Sequence, residues 1–401
     1  MEEKKLTTFF EQFLAKKPIF KKKQTLQSNY IPPTLLYRDE EIQQIANVLA
    51  PCMRTEKSSN LFVYGKSGTG KTVSVKYVSA NIREVAMQKN LPIKIIYLNC
   101  KLKKIADTEY RLIAQLAREF GKTIPPTGLP TDEVYSQLYL ALDSEKTIAI
   151  IILDEIDEIV KKTGDEVLYN LTRMDTELKE SQVSIVGISN NTRFSQDLDP
   201  RVKSSLSEEE IIFSPYNALQ IQQILKKRSE TAFYEDSICS GVIEKIAALS
   251  AREHGDARRA LELLRVSAEI AERKEKTKVE LEDVEQAEHK IEHDKSLEIA
   301  KTQPKQFQAV FYSILDISER KKESIYTGDV YELYKSIVTR SGMRPLTQRR
   351  VSDVIAELDT LGMINTKTIS KGRYGRTREI SINLDSTKEK IKSMLREELG
   401  L

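Results

Sequence analysis

The sequence has 401 residues, of which 40% are hydrophobic and 31% charged, and it carries a net charge of +3 at pH 7. A chain of this length can form two or three domains, each with its own buried core. The longest uninterrupted apolar run, residues 148–153, is far too short to span a bilayer, which excludes a membrane-spanning helix.

The three cysteines are isolated from one another and lack metal-ligand spacing, which is typical of a protein from the reducing cytosol. No apolar segment follows the opening residues MEEKK, so we find no secretory signal and expect a cytoplasmic protein without a membrane partner. Residues 1–24 are rich in lysine and predict a basic N-terminal arm.

Residues 65–72 read GKSGTGKT and match the phosphate-binding pattern G-x-x-x-x-G-K-[ST]. A short apolar run precedes them and apolar residues at helical spacing follow, which predicts a strand, a glycine loop and a helix. In such a loop, backbone N–H groups surround the β-phosphate, a lysine reaches the β- and γ-oxygens, and a threonine hydroxyl ligates Mg²⁺. We therefore predict ATP or ADP as the ligand, bound by Gly68, Thr69, Gly70, Lys71 and Thr72.

Strand-like runs then alternate with amphipathic helices up to residue 213, which predicts a parallel α/β sheet. The predicted strands are 61–64, 94–98, 148–153, 183–188 and 210–213.

Two carboxylates, Asp154 and Glu155, follow the most apolar of these strands. The end of that strand lies beside the phosphate-binding loop, so Asp154 can hold Mg²⁺ together with Thr72. Glu155 is then adjacent to the attacking water, which it can orient and deprotonate. Residues 189–191, SNN, follow the fourth strand, and an amide there can polarise the water or the γ-phosphate.

A second, helical domain is predicted after Pro215, with helices at 218–228, 238–250 and 257–272. Residues 255–260, GDARRA, open the last of these helices, and an arginine there can reach back to the γ-phosphate. The highly charged residues 273–303 predict an exposed helix or a linker.

A third pattern begins after Pro304: helices at 307–317, 329–340 and 347–361, then a β-pair at 363–369 and 379–384. Three helices followed by a two-stranded wing are the winged variant of helix-turn-helix. Residues 303–401 contain 18 basic and 13 acidic residues, a net charge of +5 that leaves −2 for the rest of the chain. This asymmetry favours contact of the C-terminal part with a polyanion.

The third helix of this module begins with TQRR, and we predict that Gln348, Arg349 and Arg350 contact DNA in a major groove. The wing, residues 367–378, has five basic residues and no acidic one, which suits contacts with phosphates or a minor groove. The wing residues predicted to contact DNA are Lys371, Arg373, Tyr374, Arg376 and Arg378.

The order of GKSGTGKT, IILDEID, GISNN, LDPRVKSSL, GDARRA and a winged helix resembles the AAA+ initiators of archaeal replication. These are relatives of eukaryotic origin-recognition complex subunits and of the cell-division-cycle-six helicase loader. The resemblance covers about residues 25–401 and implies the α/β fold class: an AAA+ P-loop module with a parallel sheet, a helical lid and a C-terminal winged helix. The domains we expect are 1–24, the arm; 25–214, the nucleotide-binding base; 215–300, the lid and linker; and 301–401, the DNA-binding domain.

The resemblance also implies roles for single residues. Asn190 corresponds to a first sensor and Arg258 to a second sensor, with Asn191 as an alternative to Asn190. Arg201 corresponds to an arginine offered to the ATP of a neighbouring subunit. The predicted catalytic residues are thus Glu155, Asn190, Arg201 and Arg258, and the further predicted nucleotide contacts are Tyr216 and Arg228. Residues 35–38, LLYR, resemble the segment that lines the adenine pocket in this family.

We expect a weak ATPase that initiates DNA replication by binding double-stranded origin DNA and helping to recruit the replicative helicase. ATP hydrolysis is expected to act as a slow switch, and paralogous initiators are further expected partners. One alternative is an ATP-dependent winged-helix transcription regulator, which would lack RVKSSL combined with GDARRA. Another is a clamp-loader-like AAA+ ATPase, which would not need a basic wing.

Overall fold

A computed structural model of the chain describes residues 18–27, 29–102, 107–125, 127–206, 208–320, 324–370, 376–382 and 387–401. The helices are α1 Asp39–Leu49, α2 Lys71–Lys89, α3 Glu109–Glu119, α4 Thr131–Leu142, α5 Ile156–Thr163, α6 Glu166–Thr172, α7 Phe194–Asp197, α8 Pro200–Leu206, α9 Ala218–Ala232, α10 Val242–Arg252, α11 Ala257–Arg273, α12 Leu281–Thr302, α13 Lys305–Arg320, α14 Thr327–Arg340, α15 Gln348–Thr360 and α16 Lys388–Leu399. The strands are β1 Asn60–Gly65, β2 Ile93–Asn99, β3 Ile148–Asp154, β4 Gln182–Ser189, β5 Glu208–Phe213, β6 Ile325–Tyr326, β7 Asn365–Ser370 and β8 Arg376–Ser381.

The chain divides into two compact units, residues 1–284 and 285–401. None of the helices in the described ranges is both long and apolar enough to cross a bilayer.

A parallel sheet forms the centre of the first unit, with strand order β2-β3-β4-β1-β5. Each predicted strand is confirmed to within two residues at either end. Every residue of β3 is buried, because helices cover both faces of a parallel sheet and leave no solvent-facing positions. The carboxyl ends of β1, β3 and β4 meet at one edge, which brings the phosphate-binding loop, Asp154 and Ser189 together.

The predicted helices after Pro215 are confirmed as α9, α10 and α11, which pack on one another. A capping box between Asn217 and Gln220 sets the start of α9. The charged segment after α11 contains helix α12, which is not wholly exposed because Asp283, Val284 and Ala287 are buried.

The second unit contains the three predicted helices, α13, α14 and α15, and a small antiparallel sheet of order β6-β8-β7. Strand β8 begins and ends earlier than predicted because pairing with β7, from Ser370 to Asn365, sets its bounds.

Two elements of this unit were not predicted. The short strand β6 adds a third strand to the sheet, and helix α16 packs against α13. Helix α16 buries Ile391, Leu395 and Leu399, whose spacing of four residues is a helical signal in the sequence.

Candidate nucleotide site and candidate nucleic-acid interface

The loop between β1 and α2 has a conformation that requires glycine at two positions. Gly68 and Gly70 have φ values of +72° and +95°, in the left-handed region that disfavours other residues. A Cβ added at Gly68 would lie 1.7 Å from Asp256 Oδ1, and one at Gly70 would lie 2.8 Å from Tyr216 Oη. Asp256 and Tyr216 thus pack closely against the loop. The N–H groups in the first turn of a helix have no partner within that helix, so the start of α2 can bind an anion.

Lys71 is buried at the start of α2, with only 5% of its surface exposed. Its Nζ donates to the carbonyls of Gly65 and Lys66 at 2.7 and 2.8 Å and to Asn190 Oδ1 at 3.0 Å. Burial, and then the charge of Arg258, lower the pKa of this ammonium to about 8. The site therefore concentrates positive charge where an anion would bind.

Thr72 and Asp154 are brought together as predicted from the sequence. Thr72 Oγ1 donates to Asp154 Oδ2 at 3.0 Å, and Asp154 is 5% exposed. A hydroxyl and a carboxylate are the hard oxygen ligands that Mg²⁺ accepts, so these residues fit the metal.

Glu155 follows immediately, in a left-handed conformation with φ of +55°. Its N–H donates to Asp154 Oδ1 at 3.0 Å, and its carboxylate lies 3.5 Å from Lys101 Nζ. Residues other than glycine rarely adopt this conformation, and those that do are often found at functional sites.

Of the two amides after β4, Asn190 is the one bonded to Lys71. The Asn191 side-chain oxygen accepts the N–H of Arg193 at 2.9 Å, and the Asn191 N–H donates to Ser189 Oγ. The geometry thus favours Asn190 over Asn191 for the predicted sensor position.

The helical part of this unit covers the loop. Ala257 N–H donates to the carbonyl of Gly68 at 3.2 Å, and Asp256 caps α11 by accepting the N–H groups of Arg258 and Arg259. A pocket lies between residues 25–36, the glycine loop with the start of α2, and helices α9 and α11. Its lining includes Tyr30, Leu36, Thr72, Tyr216, Arg228 and Arg258.

Arg228 lines this pocket, and Arg38 lies behind it, bonded to the lining residue Tyr216. The Arg228 guanidinium lies 4.7 Å from the centre of the Tyr30 ring and donates to the carbonyl of Thr25. Arg38 belongs to residues 35–38, the segment that the family resemblance places at the adenine pocket; it is 5% exposed and donates to Tyr216 Oη and to the carbonyl of Thr69.

Tyr97 was not predicted as a site residue. Its Oη donates to Asp154 Oδ2 at 2.5 Å, and burial raises the pKa of this phenol well above its usual value. The available signal was a hydroxyl near the end of the strand that pairs with β3.

Arg201 lies on α8 at the surface, with 86% of its side chain exposed. Its Nε and Nη2 atoms donate to the two oxygens of Asp199. The pocket lining, within the described part of the chain, does not include Arg201.

In the second unit, α15 begins at Gln348 behind the N-cap Thr347, whose Oγ1 accepts the N–H of Arg350. The buried face of α15 consists of Val351, Val354, Ile355 and Leu358. Gln348, Arg349 and Arg350 are exposed, and Arg350 lies 3.8 Å from Asp353.

The wing is described in part. Lys371, Arg373 and Tyr374 lie outside the described residues; Arg376 begins β8, but its side chain is not described. The Arg378 guanidinium donates to the carbonyl of Ser352 at 2.7 Å. This bond ties the wing strand to α15.

Three family models match the chain: an AAA domain over residues 54–192, the Cdc6 AAA+ ATPase-type lid domain over 222–289, and the CDC6 C-terminal winged helix domain over 298–390. The chain is 48% identical to an ORC1-type DNA replication protein of Thermococcus onnurineus, over 99% of this chain and 95% of that protein. It is 49% identical to one of Pyrococcus furiosus, over 98% of this chain and 93% of that protein.

Among solved structures, the chain is similar to the Aeropyrum pernix ORC1 protein, which was determined in complex with DNA. The TM-score is 0.85 and the identity 41%, over 96% of this chain and 98% of that one.

Proposed function

The chain belongs to the ORC1-type DNA replication proteins, and from this premise we propose that it binds double-stranded origin DNA through its winged helix, with ATP binding and slow hydrolysis in the first unit as the switch. We further propose that it helps to recruit the replicative helicase, that it assembles with paralogous initiators, and that it acts in the cytoplasm at the nucleoid.

The observation that carries the proposal is the pair of contacts at the edge of the sheet, Lys71 to Asn190 and Thr72 to Asp154. They combine a buried cation, an amide and a carboxylate at the end of a glycine loop, which is what transfer of a γ-phosphoryl group to water needs. Rate enhancement in such a site comes mainly from positioning and charge, so a small change of geometry can slow or activate it.

In this reading each residue has one task. Lys71 binds the β- and γ-phosphate oxygens, Asn190 and Arg258 contact the γ-phosphate, and Glu155 orients the attacking water and accepts its proton. Tyr216 and Arg228 line the adenosine side of the pocket.

Thr72 and Asp154 would hold Mg²⁺. The metal, when bound, neutralises charge on the β- and γ-phosphate oxygens.

The DNA side of the proposal is supported by the net charge of +5 in residues 303–401 and by the exposure of Gln348, Arg349 and Arg350 at the start of α15. A helix presented in this way can enter a major groove, while the wing lies along the backbone. The similarity to a protein that was solved in complex with DNA supports DNA as the ligand.

DNA footprinting across the genome of the source organism tests the proposal. Protection confined to replication origins is expected. Protection at promoters would favour a transcription regulator instead, and no protection would favour a clamp-loader-like ATPase. Recruitment is tested by measuring how tightly the purified replicative helicase binds the DNA-bound chain, once in the presence of ATP and once in the presence of ADP.

A further inference from the structure

The Tyr97 side chain lies beside the residues that would hold Mg²⁺, although no step of the proposed function uses it. Its Oη donates to Asp154 Oδ2 at 2.5 Å, and Thr72 Oγ1 donates to the same oxygen at 3.0 Å. The other oxygen, Oδ1, accepts the N–H of Glu155 at 3.0 Å. Donors from three elements therefore fix both oxygens of one buried carboxylate.

The Tyr97 ring is itself held in place. It belongs to β2, which pairs with β3 in register, so the backbone distance between Tyr97 and the Asp154 strand is fixed. Lys76 is on α2, one turn after Thr72, and its Nζ lies 3.9 Å from the centre of the Tyr97 ring. A cation at this distance is attracted to the face of the ring and helps to hold it in this orientation.

A carboxylate that ligates Mg²⁺ must present its oxygen at a defined angle, because the ion demands near-ideal octahedral geometry. Hydrogen bonds to the carboxylate supply that orientation, and their loss typically lowers metal affinity about 10- to 100-fold.

We propose that Tyr97 is a positioning residue whose hydroxyl orients Asp154 toward Mg²⁺ and thereby sets the metal dependence of ATP binding. This inference rests on the proposed ATP site. A purely structural role, in which the hydroxyl only satisfies a buried polar group, would instead lower the stability of the fold without regard to the metal.

The test compares the full chain with Tyr97→Phe, which keeps the ring and the Lys76 contact and removes only the hydroxyl. A fluorescent ATP analogue is titrated at a series of Mg²⁺ concentrations and in EDTA. We expect the Mg²⁺ concentration at half-maximal binding to rise about tenfold or more, while the affinity in EDTA stays within about twofold.

The matched control is Tyr77→Phe, a tyrosine of α2 whose hydroxyl makes no hydrogen bond within the described ranges. It should leave the Mg²⁺ dependence unchanged. An unaltered dependence in Tyr97→Phe would overturn the inference, and so would an equal loss of affinity with and without Mg²⁺. If the parent chain itself bound no ATP analogue, the proposed nucleotide site would fail first.

Discussion

At the residue scale, the nucleotide site consists of side chains that are distant in sequence. Lys71 and Asn190 are 119 positions apart, and Thr72 and Asp154 are 82 positions apart, yet each pair is hydrogen-bonded. In the proposed function, binding and hydrolysis rely on different members of this set, because Lys71 would contact phosphates already in the ground state whereas Glu155 would act on the water. The two functions are therefore separable by mutation.

Lys71→Ala should weaken ATP binding by about 10- to 100-fold, since a charge-assisted contact contributes roughly 1.5–3 kcal/mol. Glu155→Gln should keep ATP affinity within about threefold and lower hydrolysis by about 10²- to 10⁴-fold. Calorimetric titration and a phosphate-release assay measure the two effects. Lys66→Ala, in the same loop but with an exposed side chain, is the control for general damage. Parent-like binding and hydrolysis in both variants would refute the site assignment.

At the element scale, the N-terminus of α11 lies directly against the phosphate-binding loop. The Ala257 N–H bond to the Gly68 carbonyl and the close approach of Asp256 join the helical part of the first unit to the loop. A nucleotide that reshapes the loop must therefore also shift α11.

Gly68→Ala should destabilise the fold and weaken nucleotide binding. The left-handed conformation costs about 1–2 kcal/mol for a residue with a Cβ, and the clash with Asp256 adds to this cost. Gly362→Ala is the matched control, because Gly362 has the same φ of +72° and no described atom within 4 Å of its added Cβ. Denaturant unfolding of both variants separates the clash from the conformational cost.

Asp256→Ala combined with Gly68→Ala should be less destabilised than the sum of the two single changes, because the alanine at 256 removes the clashing carboxylate. Simple additivity would show that α11 does not press on the loop.

A second prediction at this scale distinguishes the DNA contacts of helix α15 from those of the wing. Arg349→Ala or Gln348→Ala should cost about 1–3 kcal/mol on cognate DNA and little on random DNA, because base-edge contacts carry the sequence information. Arg373→Ala with Arg376→Ala should weaken both DNAs alike and lower the salt slope of log K by about two units.

Binding titrations at several salt concentrations on cognate and scrambled duplexes distinguish these effects. Arg396→Ala, an exposed arginine of α16, is the control and should change neither quantity. If the double wing variant had the same salt slope of log K as the parent chain, the wing would not be part of the DNA interface.

At the scale of the whole molecule, the nucleotide pocket belongs to residues 1–284 and the predicted DNA contacts to residues 285–401. Arg201, on the surface of the first unit and held by Asp199, is presented to solvent and not to the pocket of its own chain. That placement suits a contact with a neighbouring subunit, which the family resemblance also implies.

Arg201→Ala should leave the ATP affinity of the isolated chain unchanged and lower hydrolysis only where copies assemble on DNA. Arg201→Lys, which keeps the charge but loses the planar fork, should show most of the same loss. Hydrolysis is measured with and without cognate DNA, and sedimentation reports the assembly state. An equal loss in a monomeric sample would assign Arg201 a role within its own chain.

The sequence by itself determined the strands of the main sheet, the helices after Pro215 and the winged module, because apolar periodicity and glycine or proline breaks are local signals. It also located the glycine loop and Asp154. Each follows a predicted strand, and the carboxyl ends of parallel strands meet at one edge of the sheet.

The tertiary structure decided what depends on neighbours in space. It brought Tyr97 into the site, bonded Arg38 to Tyr216 and Asn190 to Lys71, and tied Arg378 to α15. Pairing with β7 set the bounds of β8, and β6 became a strand only because β8 lies beside it. Packing and strand register decide which side chains meet across the fold, and the pattern of residue types along the sequence reveals neither.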